Sequence, residues 1–372
     1  MKFGVFTLGQ VPDQSNRVQA MKDALDEFEL ADQIGYDSLW VAEHFFSTYG
    51  IVGSCQVFLA AVAQRTKRAR IGSAISIVPF NHPLRTASDY ALVDILSNGR
   101  LEFGVGRAYQ PHEFAALGVP MERSREIFDQ GMRVILDAWT KKHVVADGSY
   151  WNTLDGQPVE SLPKPVQQPT PPLWQSALSP PSFKLAAESG WNLLTASPFS
   201  YRMHRENWKE ALGEEVRLYE RTCEELGRDP KAARRAIMVP FFCAPTEDEA
   251  KETYGPYVEW FYNKVASHEQ VVGPSAGTIV PGYELHMTEG KKTKEAGMLA
   301  FEQLHRYGAA IASDPDGCVA QLKELQEIIG LTEVILWFNL GGISTEAARA
   351  SMKLTMEQVV PHFSDVKTAV TS

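Results

Sequence analysis

His44, Arg107, Arg125 and Ser179 are side chains that could hold an anion and move a proton beside it. Arg107 closes the stretch Arg100-Leu-Glu-Phe-Gly-Val-Gly-Arg107, where an alternating segment ends in two glycines and a fixed positive charge. Such a strand end suits an anionic ligand with a flat ring: Gly106 removes a side chain, and the guanidinium meets the charge. A tight Gly-x-Gly turn and a surface ion pair are the plainer readings. Arg125 begins the next helical stretch, so two guanidinium groups could converge on one phosphate. Its plainer reading is a solvated helix residue. Ser179 opens another helical stretch, where a hydroxyl and free backbone N–H groups make an anion site. His44 stands at the carboxyl end of an alternating run over 37–45. A histidine there acts as general base or hydrogen-bond donor near neutral pH, or serves structure alone. Glu43 faces the other side of that run by period two and reads as a buried ion-pair or interface residue.

Elements must position these groups. Apolar, β-rich runs predict strands over 2–8, 37–45, 70–78, 101–105, 172–177, 191–196, 235–243 and 333–338. Between them, apolar residues spaced at three and four predict helices over 18–34, 56–64, 82–96, 124–139, 179–190, 205–226, 246–265 and 314–329, with a last helix over 345–359. Near-continuous apolar strands alternating with helices fit a parallel sheet buried on both faces. The expected fold is a (β/α)8 TIM barrel, α/β in class, as one domain over 1–372. Insertions are expected at about 141–168 and 266–312. A doubly wound sheet is the alternative, but no Gly-x-Gly-x-x-Gly follows the first strand. A barrel would gather the carboxyl ends of its strands: Glu43-His44-Phe45, Ser73-Ala74-Ile75-Ser76, Gly106-Arg107 and Ala177-Leu178-Ser179.

Composition narrows the chemistry. The 372 residues are 44% apolar and 22% charged, ordinary for a globular protein, and the net charge of −10 argues against nucleic acid or an anionic membrane surface as partner. The cysteines (Cys55, Cys223, Cys243, Cys318) are far apart and read as reduced thiols in a cytoplasmic protein. No histidine, cysteine or carboxylate spacing suggests a metal, so none is expected. No leader or membrane-spanning stretch is evident. Oxidation chemistry without metal or reactive cysteine calls for an organic cofactor.

Several stretches together resemble the bacterial luciferase-like flavin-dependent monooxygenases, and the alkanal monooxygenase branch most. They are Met1-Lys2-Phe3-Gly4, Leu39-Trp40-Val41-Ala42-Glu43-His44-Phe45, Ile71-Gly72-Ser73-Ala74 through Pro79, His82-Pro83-Leu84-Arg85, Asp94-Ile95-Leu96-Ser97-Asn98-Gly99-Arg100-Leu101, Pro171-Pro172-Leu173-Trp174 and Ala350-Ser351-Met352-Lys353-Leu354. The resemblance covers 1–130, 170–260 and 314–365. It implies a barrel, usually a homodimer, that binds reduced FMN (FMNH2) delivered by a separate NAD(P)H:flavin reductase. O2 is the co-substrate: it adds to the flavin to give a peroxyflavin, and a small, apolar organic substrate takes one oxygen atom.

Position by position, the resemblance implies His44 as the base and Ala74-Ile75 as a flavin-facing turn, often with a non-proline cis peptide. It implies Arg107 and Arg125 at the phosphate, with Leu178, Ser179 and Ser182 meeting it from the fifth strand. Gly106 and Tyr109 complete the flavin contacts. Phe6, Phe45, Phe46, Tyr109 and Trp191 are candidate walls of the substrate pocket. Phe45 stands where the luciferases carry a second histidine, and Gly106 where they carry a reactive cysteine. Both departures point away from light emission. The stretch 266–312 matches a mobile lid, with Gly273, Gly277, Gly282, Gly290 and the Glu289–Lys294 run in a closing loop; a surface excursion is its plainer reading. Two rivals stand beside the monooxygenase: a deazaflavin (F420)-dependent hydride-transfer enzyme on the same fold, and a non-catalytic flavin-binding subunit.

Overall fold

The structure, a computed structural model, describes residues 1–12, 16–268 and 283–363. Eight parallel strands close on themselves: β1 (Lys2–Thr7), β2 (Ser38–Val41), β3 (Arg70–Ser73), β4 (Leu101–Gly106), β5 (Leu173–Ser176), β6 (Asn192–Ala196), β7 (Arg235–Cys243) and β8 (Glu333–Trp337). Each pairs with the next in sequence, and β8 returns to pair with β1, Lys2 opposite Glu333. The predicted (β/α)8 barrel is therefore the observed fold, strand for strand.

Inward and outward positions differ in kind. Trp40 on β2 and Trp174 on β5 point into the barrel and meet edge to face at 5.3 Å. The barrel admits them because Gly72, opposite Trp40, has no side chain; a Cβ there would lie 2.5 Å from the Trp40 ring. Outward residues such as Phe103 pack on helices instead, here on Trp139 at 5.1 Å. At the amino-terminal mouth, buried Glu102 binds Arg70 and lies 2.7 Å from Arg234, which also pairs with Glu333. Trp174 Nε1 donates to Glu102 at 2.6 Å, and Arg234 lies over the Trp174 ring. This end is a packed plug, so the open end is the carboxyl one, where barrel sites form.

The enclosing helices are α1 (Arg17–Ile34), α2 (Cys55–Arg65), α3 (Pro83–Leu96), α4 (Pro111–Leu117), α5 (Ser124–Thr140), α6 (Pro180–Ser189), α7 (Ser197–His204), α8 (Trp208–Glu225), α9 (Glu247–His268), α10 (Glu284–Glu295), α11 (Phe301–Arg306), α12 (Pro315–Ile329) and α13 (Thr345–Leu354). Among the described residues no helix is long and apolar enough to cross a membrane. α1 stops at Gly35 in the left-handed region, as predicted from that glycine.

Several expectations need correction. The helix expected over 205–226 is α8, opened by a 3-10 turn at Arg205–Asn207; α7, which follows β6 directly, was not expected. The Glu289–Lys294 run with Gly290 lies inside α10 rather than in a loop, because the Glu and Lys side chains pair along one helical face, as Lys292 with Glu289. Gly273, Gly277 and Gly282 lie outside the described residues. An unpredicted strand, Ile311–Ser313, extends the sheet beside the end of β7. The 141–168 insertion carries a small antiparallel pair, His143–Val144 with Val159–Glu160.

Candidate active site

A cavity of about 380 Å3 opens at the carboxyl ends of the strands. It connects His44 at one side, the Ala74-Ile75 turn beneath, and Arg107, Arg125, Leu178, Ser179 and Ser182 at the other side. Residues scattered over the chain thus share one wall, as the barrel reading required.

His44 arrives there by strand alternation: Ser38 and Trp40 face inward, and the same parity carries His44 to the cavity rim. It is 8% exposed. Its Nδ1 lies 3.0 Å from Glu113 Oε1 and 3.0 Å from Gln110 Nε2. The Phe45 N–H donates to the same Glu113 oxygen at 2.8 Å. Tyr49 and Tyr109 meet the imidazole edge-on at 4.7 and 5.8 Å. The Tyr109 and Tyr49 hydroxyls are 3.4 Å apart.

Glu43 turns away from His44, as expected, but forms no ion pair among the described residues. Its carboxyl accepts the Ile77 N–H at 2.7 Å and the Cys55 N–H at 3.2 Å. Burial pushes its carboxyl up to about 7, and the two backbone donors only partly offset that. Glu43 thereby ties the start of α2 to the segment after β3. That segment contains a non-proline cis peptide between Ala74 and Ile75, at the turn the resemblance singled out. Ser73 Oγ donates to Gly104 O at 2.8 Å and accepts the Gly104 N–H at 3.1 Å, fastening the turn to β4.

At the other side, Arg107 and Arg125 have no carboxylate within ion-pair distance among the described residues, and burial pulls the Arg107 guanidinium down. Asp129 is the acid that both arginines feel, and burial outweighs them in raising its carboxyl. Tyr283 covers Arg107, with the guanidinium 5.0 Å from the ring centroid. The Tyr283 hydroxyl donates to Ala108 O at 3.0 Å and lies 3.1 Å from Ser124 Oγ. Ser179 and Ser182 hydroxyls are 3.2 Å apart. Ser179 sits at the N-cap of α6 but makes no side-chain cap bond. The expected fan of free helix N–H groups is absent, because Pro180 and Pro181 occupy the first turn and carry none. The hydroxyls are what this helix start offers an anion.

Four expected residues are placed elsewhere. Gly106 is not part of the cavity wall, because the Ile75 side chain fills the space it leaves. Phe45 packs on Phe80, and Phe46 is 64% exposed, so neither lines the cavity. Trp191 precedes β6 at the closed mouth, where its carbonyl accepts the Tyr219 hydroxyl. The walls are Phe6, Leu8, Tyr49, Tyr109, Phe199, Met203 and Met238. Among residues that sequence reasoning missed, Glu113 and Gln110 flank Pro111, and Gly118 caps the same helix; that Pro-to-Gly punctuation was a readable sign of α4. Nothing local pointed to Tyr283.

Known proteins share the sequence pattern and the fold. A family model described as "Luciferase-like monooxygenase" matches residues 1–332. The oxygenase component of the flavin-dependent trigonelline monooxygenase of Acinetobacter baylyi is 24% identical, over 99% of this chain and 97% of its own. The alkanal monooxygenase alpha chain of the Kryptophanaron alfredi symbiont is also 24% identical, over 98% and 99%. The oxygenating constituent of 3,6-diketocamphane monooxygenase from Pseudomonas putida, solved with FMN, superposes with a TM-score of 0.79 at 19% identity, covering 97% of this chain and 98% of its own.

Proposed function

The chain belongs to the luciferase-like monooxygenase family, and from that premise we propose that it is the FMN-dependent oxygenating component of a two-component monooxygenase. The observation that carries the reading is one cavity joining His44 to two arginines that have no carboxylate within ion-pair distance among the described residues. These residues fit FMN. Arg107 and Arg125, with the Ser179 and Ser182 hydroxyls, suit a terminal phosphate dianion. The apolar walls and the Ala74-Ile75 peptide suit a flat ring. Bound in its reduced form, FMN supplies the electrons that activate O2.

The chain's own residues hold, orient and shield. Arg107, Arg125, Ser179 and Ser182 bind the phosphate end. Ala74 and Ile75 support the ring, and Tyr109 and Leu178 flank it. His44 moves a proton between Nε2 and the ligand. Tyr283, at the start of α10, closes the phosphate end over Arg107, and α10 is held to α7 by the Thr293 hydroxyl donating to Arg202 O at 2.8 Å. The apolar part of the wall limits water at the reacting groups. The substrate is a small, apolar organic molecule that fits among Phe6, Tyr49, Phe199, Met203 and Met238.

FMNH2 comes from a separate NAD(P)H:flavin reductase, as the name "oxygenase component" of the trigonelline relative suggests by analogy. That supply matches a cytoplasmic enzyme. The exposed apolar side chains of Val57 on α2 and Leu92, Ile95 and Leu96 on α3 support a homodimer through these two helices.

The purified protein should bind FMN and consume O2 when a flavin reductase and NAD(P)H supply FMNH2. Tight binding of F420 with no FMNH2-dependent O2 uptake would establish the deazaflavin alternative instead. That alternative is less well served by the phosphate end, since the F420 phosphate is a diester with a single charge.

A further inference from the structure

We infer that Glu113 is the positioning residue for His44: it fixes the Nδ1–H tautomer and leaves Nε2 as the nitrogen that serves the cavity. The inference rests on the role of His44 proposed above. Glu113 is fully buried on α4, and its Oε1 lies 3.0 Å from His44 Nδ1. The Phe45 backbone donor at 2.8 Å holds that oxygen in place, so the residue after His44 and the imidazole itself share one anchor. Glu113 Oε1 already accepts the Phe45 N–H and faces the imidazole as an acceptor, so Nδ1 carries the proton.

Gln110 tests the consistency of this arrangement. As placed, its Nε2 points a donor at Nδ1, while its Oε1 is buried without a partner. Two donors cannot share that contact. Reversing the amide, an exchange invisible to the shape of the side chain, turns the contact into a second acceptor for Nδ1–H. It also lets the Tyr109 hydroxyl donate to the same oxygen across 3.3 Å. His44 is then held from both Glu113 and Gln110, with Tyr49 and Tyr109 at its edges.

The proton bookkeeping closes. A ligand proton moves to Nε2, the imidazolium keeps its Nδ1–H toward Glu113, and Nε2 returns the proton to product or solvent. The titratable and charged groups around His44 are Glu113 from α4, Tyr49 and Tyr109 from the strand-end loops, Glu43 turned to the other side of its own segment, and Arg202 of α7 beyond Tyr49. Glu113 is the one carboxylate among them in hydrogen-bond contact with the ring.

The decisive measurement is the nitrogen-15 NMR signature of His44 in the full-length protein without flavin, assigned against His44→Asn. A neutral ring protonated at Nδ1 is expected; a ring protonated at Nε2, with Nδ1 accepting from Gln110, overturns the inference. Glu113→Gln should lower FMNH2-supported turnover about tenfold or more, leave FMN affinity within about twofold, and move the acid limb of the kcat profile to lower pH by roughly a unit. Glu113→Asp should recover part of the rate. An unshifted profile in Glu113→Gln also overturns the inference. If the unmodified protein shows no FMNH2-dependent O2 uptake, the functional reading fails, and the NMR result still decides the role of Glu113. The NMR measurement decides equally if Glu113→Gln does not fold.

Discussion

The Ile75 side chain occupies the space that a side chain at residue 106 would need. A Cβ built on Gly106 falls well inside contact distance of Ile75 Cδ1 and 3.3 Å from Ser176 Cβ. Position 106 faces into the barrel at the top of β4, and Ile75 reaches across from the turn after β3. Gly106 and Ile75 therefore form a volume-matched pair, and Ile75, rather than open space, borders the cavity there.

The pairing predicts a coupling between the two sites. Gly106→Ala should destabilise the protein by about 1–3 kcal/mol, the usual cost of an overpacked core. In an Ile75→Ala background the same change should cost much less, because the displaced atoms are gone. Denaturant unfolding of the four proteins in a double-mutant cycle measures the coupling. Additive effects would show that the two side-chain positions do not share that space.

The phosphate end predicts a ligand-dependent loss. Arg107→Ala and Arg125→Ala each remove a charge-assisted contact, so FMN affinity should fall by roughly 1.5–3 kcal/mol, or about 10- to 150-fold. Riboflavin, which lacks the phosphate, should bind the parent and both variants alike. Calorimetry with the two flavins reads the difference. Equal losses for both would mean that the arginines act on the cavity's shape. Tyr283 lies on Arg107, so Arg107→Ala also removes a cation–π contact; Arg125→Ala is the cleaner probe.

His44→Ala should lower turnover by about 10²- to 10⁴-fold, the range of a general acid–base group, while FMN affinity stays near that of the parent. Nδ1 of the side chain lies against Glu113 and Gln110, and in the proposed function Nε2 is the nitrogen that meets the ligand. Unchanged turnover of a true substrate, measured by stopped-flow oxygen consumption with excess FMNH2, would leave His44 a structural residue.

The barrel was legible because most of its eight strands are buried on both faces and read as apolar runs without long-range information. The strand ends were legible for the same reason: once β2 and β4 are placed, His44 and Arg107 must lie at one rim. Short elements were not. α4 spans seven residues and the strand Ile311–Ser313 three, too few for a periodic pattern to stand out. Glu113 meets His44 across 69 residues of sequence, a contact that no spacing rule anticipates. Other misses were readable. Pro180 and Pro181 stand in the sequence directly after Ser179, and their missing N–H groups follow from proline's ring. Trp191 stands immediately before β6, so its place at the closed mouth follows from strand direction.

Glu43 predicts a pH dependence of stability with a definite sign. Its carboxyl is held protonated by burial up to about 7, whereas in the unfolded chain it ionises near 4.5. Between those values the native protein binds the extra proton, so stability falls as pH rises through that window and levels off above it. The contribution is roughly 3 kcal/mol at most, and buried Glu27, pushed up to about 7 by the same cause, acts in the same direction. Glu43→Gln cannot titrate. Its amide loses one backbone contact, since only its oxygen can accept from Ile77 or Cys55, and that loss is the same at every pH. The variant should therefore be less stable at pH 5, and its unfolding free energy should change less than the parent's between pH 5 and pH 7.5. Urea unfolding of both proteins across that range gives the two slopes. Parallel slopes would show that Glu43 ionises in the folded protein as it does in water.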